Sequence, residues 1–373
     1  MESPKVTRNS TRKRKLIEKL EENEKKKPKI LNITDFNCSI TSPSNIKDLI
    51  TIGNEWNLYK KEMDKDKDTF MKIKRLRRKY YNIIDQNEDF HKVSKITKHL
   101  EKLDNLTGME SLKKSIVNQI LFFTQNLQND EMMHTILSGS PGTGKTSVAK
   151  ILGEIYKDLG ILKKGTFTKA CRDDFIGEYL GSTAIKTKKL LKSCLGGVLF
   201  IDEAYSLGNR EKRDSFSKEA IDTLNEFLSE NTKDFICIIA GYEKSLHDCF
   251  FSWNPGLERR FPWKFKLDGY NPKELKEILY YQVKNNGWMI SVDDDKLEKI
   301  IIKNKDLFKY NGGDCLVYFD KCKICHARRV FGKNQDEKFN LTNEDIVQGM
   351  MMFQTFKKTN KIKDTSTPLG MYV

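Results

Sequence analysis

The sequence predicts an α/β fold. A parallel sheet wrapped by helices is followed by a small all-helical unit and preceded by a basic, helical or disordered extension. Three observations predict it. From about Leu103, short β-branched runs alternate with helical periodicity, the pattern of parallel strands joined by crossover helices. One of those strands leads through Gly139-Ser140-Pro141-Gly142-Thr143-Gly144-Lys145-Thr146 directly into a helix. After Tyr270, apolar residues recur only at helical spacing.

The chain has 373 residues, room for two domains and a tail. Hydrophobic residues make up 38% and charged residues 32%, so part of the chain is expected to be solvated. No apolar run is long enough for a helical membrane span. The opening stretch lacks the apolar segment of a secretory signal, and eight scattered cysteines do not form a disulfide framework. The expectation is a soluble intracellular protein with reduced thiols, in the cytoplasm or nucleus.

The net charge is +15 and it is uneven. Residues 1–100 carry 25 Lys+Arg against 15 Asp+Glu, and the remaining 273 carry 42 against 37. A basic front suits nucleic acid, an acidic protein or an anionic membrane surface. The competing readings are a solvated lysine-rich arm and the codon bias of an AT-rich genome.

In order, residues 1–43 read as a basic, mostly disordered tail. Its clusters Arg12-Lys13-Arg14-Lys15 and Lys25-Lys26-Lys27-Pro28-Lys29 also fit nuclear localisation signals. Residues 44–102 read as a helical extension. Phe70, Ile73, Leu76, Tyr80 and Ile84 form an apolar stripe beside Lys72, Arg75, Arg78 and Lys79, a basic amphipathic helix expected to pack on its neighbour. Residues 103–270 read as the α/β domain. Its strands are expected at Thr135–Ser138, Thr166–Ala170, Val198–Ile201, Phe235–Ala240 and Lys264–Leu267, with helices after Gly144, Ser182 and Asp214. Residues 271–358 read as the helical unit, with helices near 272–286, 293–303, 313–331 and 342–356. Residues 359–373 read as an irregular tail.

The segment 139–146 matches G-x-x-x-x-G-K-[ST] in the strand–loop–helix setting that the pattern requires. Its glycines let successive N–H groups converge as an anion nest, and the following helix adds its positive end. Lys145 is expected on the β- and γ-phosphates of ATP, and the Thr146 hydroxyl on Mg²⁺. Gly196–Ile201 is an apolar run suited to a central parallel strand, and it ends in Asp202-Glu203. Carboxylates at such a strand end lie where α/β sheets bind ligands. Asp202 then serves the metal, and Glu203 orients and deprotonates the attacking water.

These residues carry a resemblance. The chain resembles the AAA+ ATPases, P-loop NTPases among which the CbxX/CfxQ group includes the red-type Rubisco activases; relatives in large DNA viruses are similar too. The resemblance runs over roughly 100–335. It includes Leu106-Thr107-Gly108-Met109, the phosphate loop, Gly177–Thr183, Gly196–Leu207, Ala240-Gly241-Tyr242 and Asn254–Phe261. It implies a hexameric ring that hydrolyses ATP at subunit interfaces and remodels a protein substrate through a central pore. It implies an arginine finger at Arg260, with Arg259 one position away, and a pore loop at Tyr179, Leu180 and Gly181. Two departures stand out. Where the family carries a lid arginine, this chain has Gly312-Gly313-Asp314-Cys315, and the polar sensor after the fourth strand falls on Tyr242 or Glu243. The alternatives are a loader-like ATPase tethered to nucleic acid by the basic front, or a weakly hydrolysing nucleotide-binding scaffold. Cys322-Lys323-Ile324-Cys325-His326 has the spacing of a haem attachment site but sits in an expected lid helix, where His326, Arg328 and Arg329 would face solvent or a neighbouring subunit. Cys171, Cys194 and Cys237 are expected as small core fillers.

Overall fold

The computed structural model describes residues 36–65, 67, 74–127, 131–179, 181–208, 214–332 and 338–365. The basic clusters of the tail, Leu180 and residues 366–373 lie outside them. Three helices come first, α1 (Ile46–Lys65), α2 (Lys74–Gln86) and α3 (Glu88–Asp104). There follow α4 (Glu110–Thr124), β1 (Thr135–Gly139), α5 (Lys145–Asp158), β2 (Phe167–Ala170), α6 (Arg172–Phe175), α7 (Ser182–Ser193) and β3 (Val198–Ile201). The α/β part closes with α8 (Ser215–Glu230), β4 (Ile236–Gly241), α9 (Glu243–Cys249) and β5 (Trp263–Leu267).

The five strands pair in parallel in the order β2-β3-β4-β1-β5. The order reverses at β1, so the loop after β1 opens into the crevice where such sheets bind ligands. Helices cover both faces, which is why β3 and β4 are buried at every residue and read as unbroken apolar runs.

α1 lies along α3, and Gly53 permits the crossing: a Cβ there would stand 2.2 Å from Thr97 Oγ1. Tyr80 and Ile83 of α2 bury against Trp56 and Met63 of α1, so the described part of the basic stripe packs within the extension. The side chains of Phe70, Ile73 and Leu76 fall outside the described residues. α3 runs on across residues 102 and 103, and its Val93, Ile96, Leu100 and Leu103 share one core with Val148, Leu152 and Ile155 of α5. At the rim, His99 stands 2.9 Å from Glu154 and 2.8 Å from Asp158. Leu100→Ala is therefore expected to destabilise the whole α/β unit by about 2–5 kcal/mol. The check is the urea midpoint of its far-ultraviolet circular dichroism; an unchanged midpoint would mark α3 as an appendage.

His134, just before β1, is fully buried, and its Nδ1 accepts the Cys237 amide at 3.1 Å. Burial pulls its pKa from 6.5 down to about 4. The folded protein keeps the ring neutral, whereas the unfolded chain takes up a proton below about 6.5. Stability is thus lost as pH falls from 6.5 towards 4, by about 3 kcal/mol in total. His134→Gln lacks this penalty, so the stability gap between wild type and variant should narrow across that window. A gap that stays level in urea titrations would refute the assignment.

The last unit contains α10 (Pro272–Asn285), β6 (Met289–Ser291), α11 (Asp294–Lys303), α12 (Gly312–Val330), β7 (Asn340–Thr342) and α13 (Asn343–Thr365). It is not all-helical: β6 and β7 pair in parallel, Met289 with Asn340 and Ser291 with Thr342. Three-residue strands are too short to show an alternating pattern, so the sequence hides them. α13 continues through 359–365, expected as irregular tail; no helix breaker intervenes before Pro368. His326 is also corrected. It is buried, with Nδ1 3.1 Å from Asp345 Oδ2 and Nε2 3.1 Å from the Lys338 carbonyl. Burial pushes the Asp345 carboxyl up, but Arg329, the Thr342 amide and His326 outweigh it and leave it below its ordinary value. Arg329 therefore belongs to this internal network, and Arg328 is exposed. Cys194 and Cys237 are buried, whereas Cys171 is exposed because it caps the start of α6 instead of filling the core. Among the described residues no helix is long and apolar enough to cross a membrane.

Candidate nucleotide site

The chain turns from β1 into α5 through Gly139–Gly144. Gly142 and Gly144 hold φ of +71° and +88°, and a Cβ on Gly142 would stand 2.1 Å from the Tyr310 carbonyl oxygen. Only glycine fits there. The Lys145 ammonium is buried and donates to the Gly139 and Ser140 carbonyls, both at 2.9 Å. Thr143 Oγ1 donates to the Ser140 carbonyl at 2.8 Å. Burial lowers the Lys145 pKa, with Glu203 and then Asp202 opposing.

Asp202 and Glu203 follow β3 immediately. Glu203 adopts φ 50° and ψ 45°, a left-handed conformation that costs a non-glycine residue about 1–3 kcal/mol. Its Oε2 is buried without a hydrogen-bond partner. Strain and an orphaned carboxylate oxygen on one residue are the marks of a functional position rather than a stabilising one. Asp202 pairs with Lys169 of β2 at 2.8 Å, a neighbour that no sequence pattern announces. Of the two sensor candidates, Tyr242 faces the site, with the Lys145 Nζ 6.0 Å from its ring centroid. Glu243 instead pairs with Lys266 at 3.1 Å on the exposed surface.

These groups border a cavity of about 530 Å³, within the usual range for a ligand of nucleotide size. Pro141, Gly142, Gly144, Lys145, Thr146, Asp202 and Glu203 line it, whereas Gly139, Ser140 and Thr143 of the same loop do not. Leu106, Met109, Ile278 and Leu316 add apolar lining of the kind a base needs. The strap holding Leu106 is fixed by Lys113, whose Nζ donates to the Asp104 and Leu106 carbonyls at 3.0 and 2.8 Å. The cavity therefore lies between the sheet unit and the helical unit. Ile278, Gln282 and Leu316 escaped the sequence reading because they sit on ordinary amphipathic helices far along the chain. The donor set, one hydroxyl on Thr146 and one carboxylate on Asp202, is hard oxygen chemistry that suits Mg²⁺ shared with phosphates. Among the described residues no cluster of three or more His, Cys, Asp or Glu offers a protein-only metal site.

Two candidates lie away from the cavity walls. Tyr179 is 73% exposed, so it does not pack between helices. Its loop is braced by the Ser182 hydroxyl, which accepts from the Tyr179 amide at 3.1 Å and donates to its carbonyl at 2.7 Å. Gly181 caps α7 at φ +82°. Arg260 sits on a 3₁₀ turn, Glu258–Arg260. Its Nε donates to the Asn225 carbonyl at 3.1 Å and to Ser229 Oγ at 2.8 Å, and its Nη1 to the Gly256 carbonyl at 2.6 Å. Arg259 is exposed.

Comparison with known proteins identifies the family to which the chain belongs. Residues 135–261 match the ATPase family associated with various cellular activities (AAA). A putative cfxQ-like protein of Acanthamoeba polyphaga mimivirus is 38% identical over 283 residues, 75% of this chain and 70% of that protein. The chloroplastic ribulose bisphosphate carboxylase/oxygenase activase of Cyanidioschyzon merolae is 32% identical over 277 residues, 70% of this chain and 94% of that protein. The solved FIGL-1 AAA domain in complex with ADP shares the fold, with a TM-score of 0.50 at 17% identity over 70% of this chain and 89% of that one. The phosphate loop, the acidic strand end and these relatives lead to one assignment: the chain belongs to the AAA ATPase family, within its CbxX/CfxQ group, and is an ATPase.

Proposed function

We propose that the chain assembles as a homo-hexameric ring that couples ATP hydrolysis to moving a protein segment through its central pore. Lys145 contacts the β- and γ-phosphates while the 139–146 loop supplies backbone donors. Bound by Thr146 and Asp202, Mg²⁺ would neutralise charge on the phosphate oxygens. Glu203 accepts the proton of the attacking water as its oxygen adds to the γ-phosphorus and ADP leaves. Arg260 of the adjacent subunit stabilises the charge that develops during transfer.

The observation that carries the remodelling reading is Tyr179, a large aromatic exposed on a braced loop. An isolated exposed aromatic is unremarkable; this one has its backbone held in place by the Ser182 hydroxyl. A Glu203→Gln chain loaded with ATP is expected to retain a bound polypeptide, and adding Tyr179→Ala should release it. Retention despite Tyr179→Ala would refute a pore role. Salt-sensitive retention of DNA or RNA that vanishes on removing residues 1–35 would favour a nucleic-acid loader instead.

A further inference from the structure

Three successive carbonyls of the phosphate loop accept hydrogen bonds from the helical unit and its hinge. The Pro141 carbonyl accepts from Asn311 Nδ2 at 3.2 Å, the Gly142 carbonyl from the Gly312 amide at 3.1 Å, and the Thr143 carbonyl from the Tyr270 hydroxyl at 3.0 Å. In a trans peptide the C=O and the next N–H point in opposite directions, and no peptide among the described residues is cis. Holding these three carbonyls therefore fixes the orientation of the Gly142, Thr143 and Gly144 amides, the donors that a phosphate chain needs. A hydrogen bond at one end of a peptide group also polarises it and strengthens a bond at the other end.

Asn311 is held under strain to do this. It is 5% exposed and adopts φ 49° and ψ −121°. Its two side-chain atoms are both used: Nδ2 on Pro141, and Oδ1 accepting the Tyr270 amide at 3.1 Å. A strained residue persists only where its surroundings over-determine it. Asp314, in the segment without an arginine, is engaged within the helical unit, where it pairs with Lys357 and accepts the Tyr310 amide at 2.7 Å.

We propose that Asn311 and Tyr270 are positioning residues that clamp the helical unit to the phosphate loop's carbonyls, so that nucleotide binding and docking of that unit reinforce each other without a lid arginine. The proposal rests on the nucleotide reading of the loop. The coupling is reciprocal: whatever the clamp adds to nucleotide affinity, nucleotide adds to docking.

Two variants of the full chain isolate the clamp. Asn311→Ala removes both side-chain bonds without adding a charge beside the phosphate loop, and Tyr270→Phe removes only a hydroxyl. Each is titrated calorimetrically with Mg·ADP, and hydrogen exchange of residues 310–316 is followed with and without it. Each variant is expected to bind Mg·ADP about tenfold more weakly. Each should also lose the nucleotide-induced slowing of exchange. Wild-type affinity and wild-type slowing in both variants would overturn the clamp, whatever their melting points. A wild-type chain with no affinity for Mg·ADP would overturn the nucleotide reading beneath it.

Discussion

Glu203→Gln should bind Mg·ATP as tightly as the wild type and hydrolyse it about 10²–10⁴-fold more slowly. The amide matches the carboxylate in size, so the left-handed backbone at φ 50° and the cavity wall are kept. What disappears is the basic oxygen. In the wild type, Oε2 is buried without a partner, an arrangement that costs stability and that the proposed role as base to the attacking water would explain. An uncharged amide costs less to bury than a carboxylate, so a small gain in melting temperature is expected alongside the lost turnover. Calorimetry and phosphate release separate the two effects. Turnover within a few-fold of wild type would remove Glu203 from the chemistry.

Arg260→Ala should lower turnover by about 10³–10⁵-fold while leaving the subunit's own nucleotide pocket intact. Asn225, Ser229 and Gly256 hold the guanidinium, so the charge is oriented before any nucleotide arrives and costs little to organise during reaction. Lysine restores the charge but not the planar fork, so Arg260→Lys is expected to recover little. A mixing experiment tests action between subunits. Glu203→Gln subunits keep Arg260, and Arg260→Ala subunits keep Glu203; combining the two inactive proteins should restore part of the activity. No recovery on mixing would place the arginine's effect within its own subunit. If Arg259→Ala is the damaging change and Arg260→Ala is not, the finger is the exposed neighbour.

The site was legible in the sequence to the extent that its chemistry is local. Residues 139–146 carry glycines, lysine and threonine in one contiguous turn, and Asp202-Glu203 ends a run whose burial on both faces forces it to be apolar. Other groups left no such trace. Lys169 reaches Asp202 only because β2 and β3 pair side by side. Tyr242 and Glu243 part company because the turn after β4 directs one residue towards Lys145 and the next to the surface. His326 reads as an exposed lid histidine until Asp345 is found against it.

Backbone chemistry and strand periodicity alone thus settled the parallel sheet, the phosphate loop and the acidic strand end, because each is encoded within a few consecutive residues. Folding decided the rest: that α3 joins the core of α5, that β6 finds β7, and that Asn311 and Tyr270 close over Pro141–Thr143. An apolar stripe or a single polar side chain states that a partner exists, but only the packed chain, which brings together groups more than a hundred residues apart, determines which partner it meets.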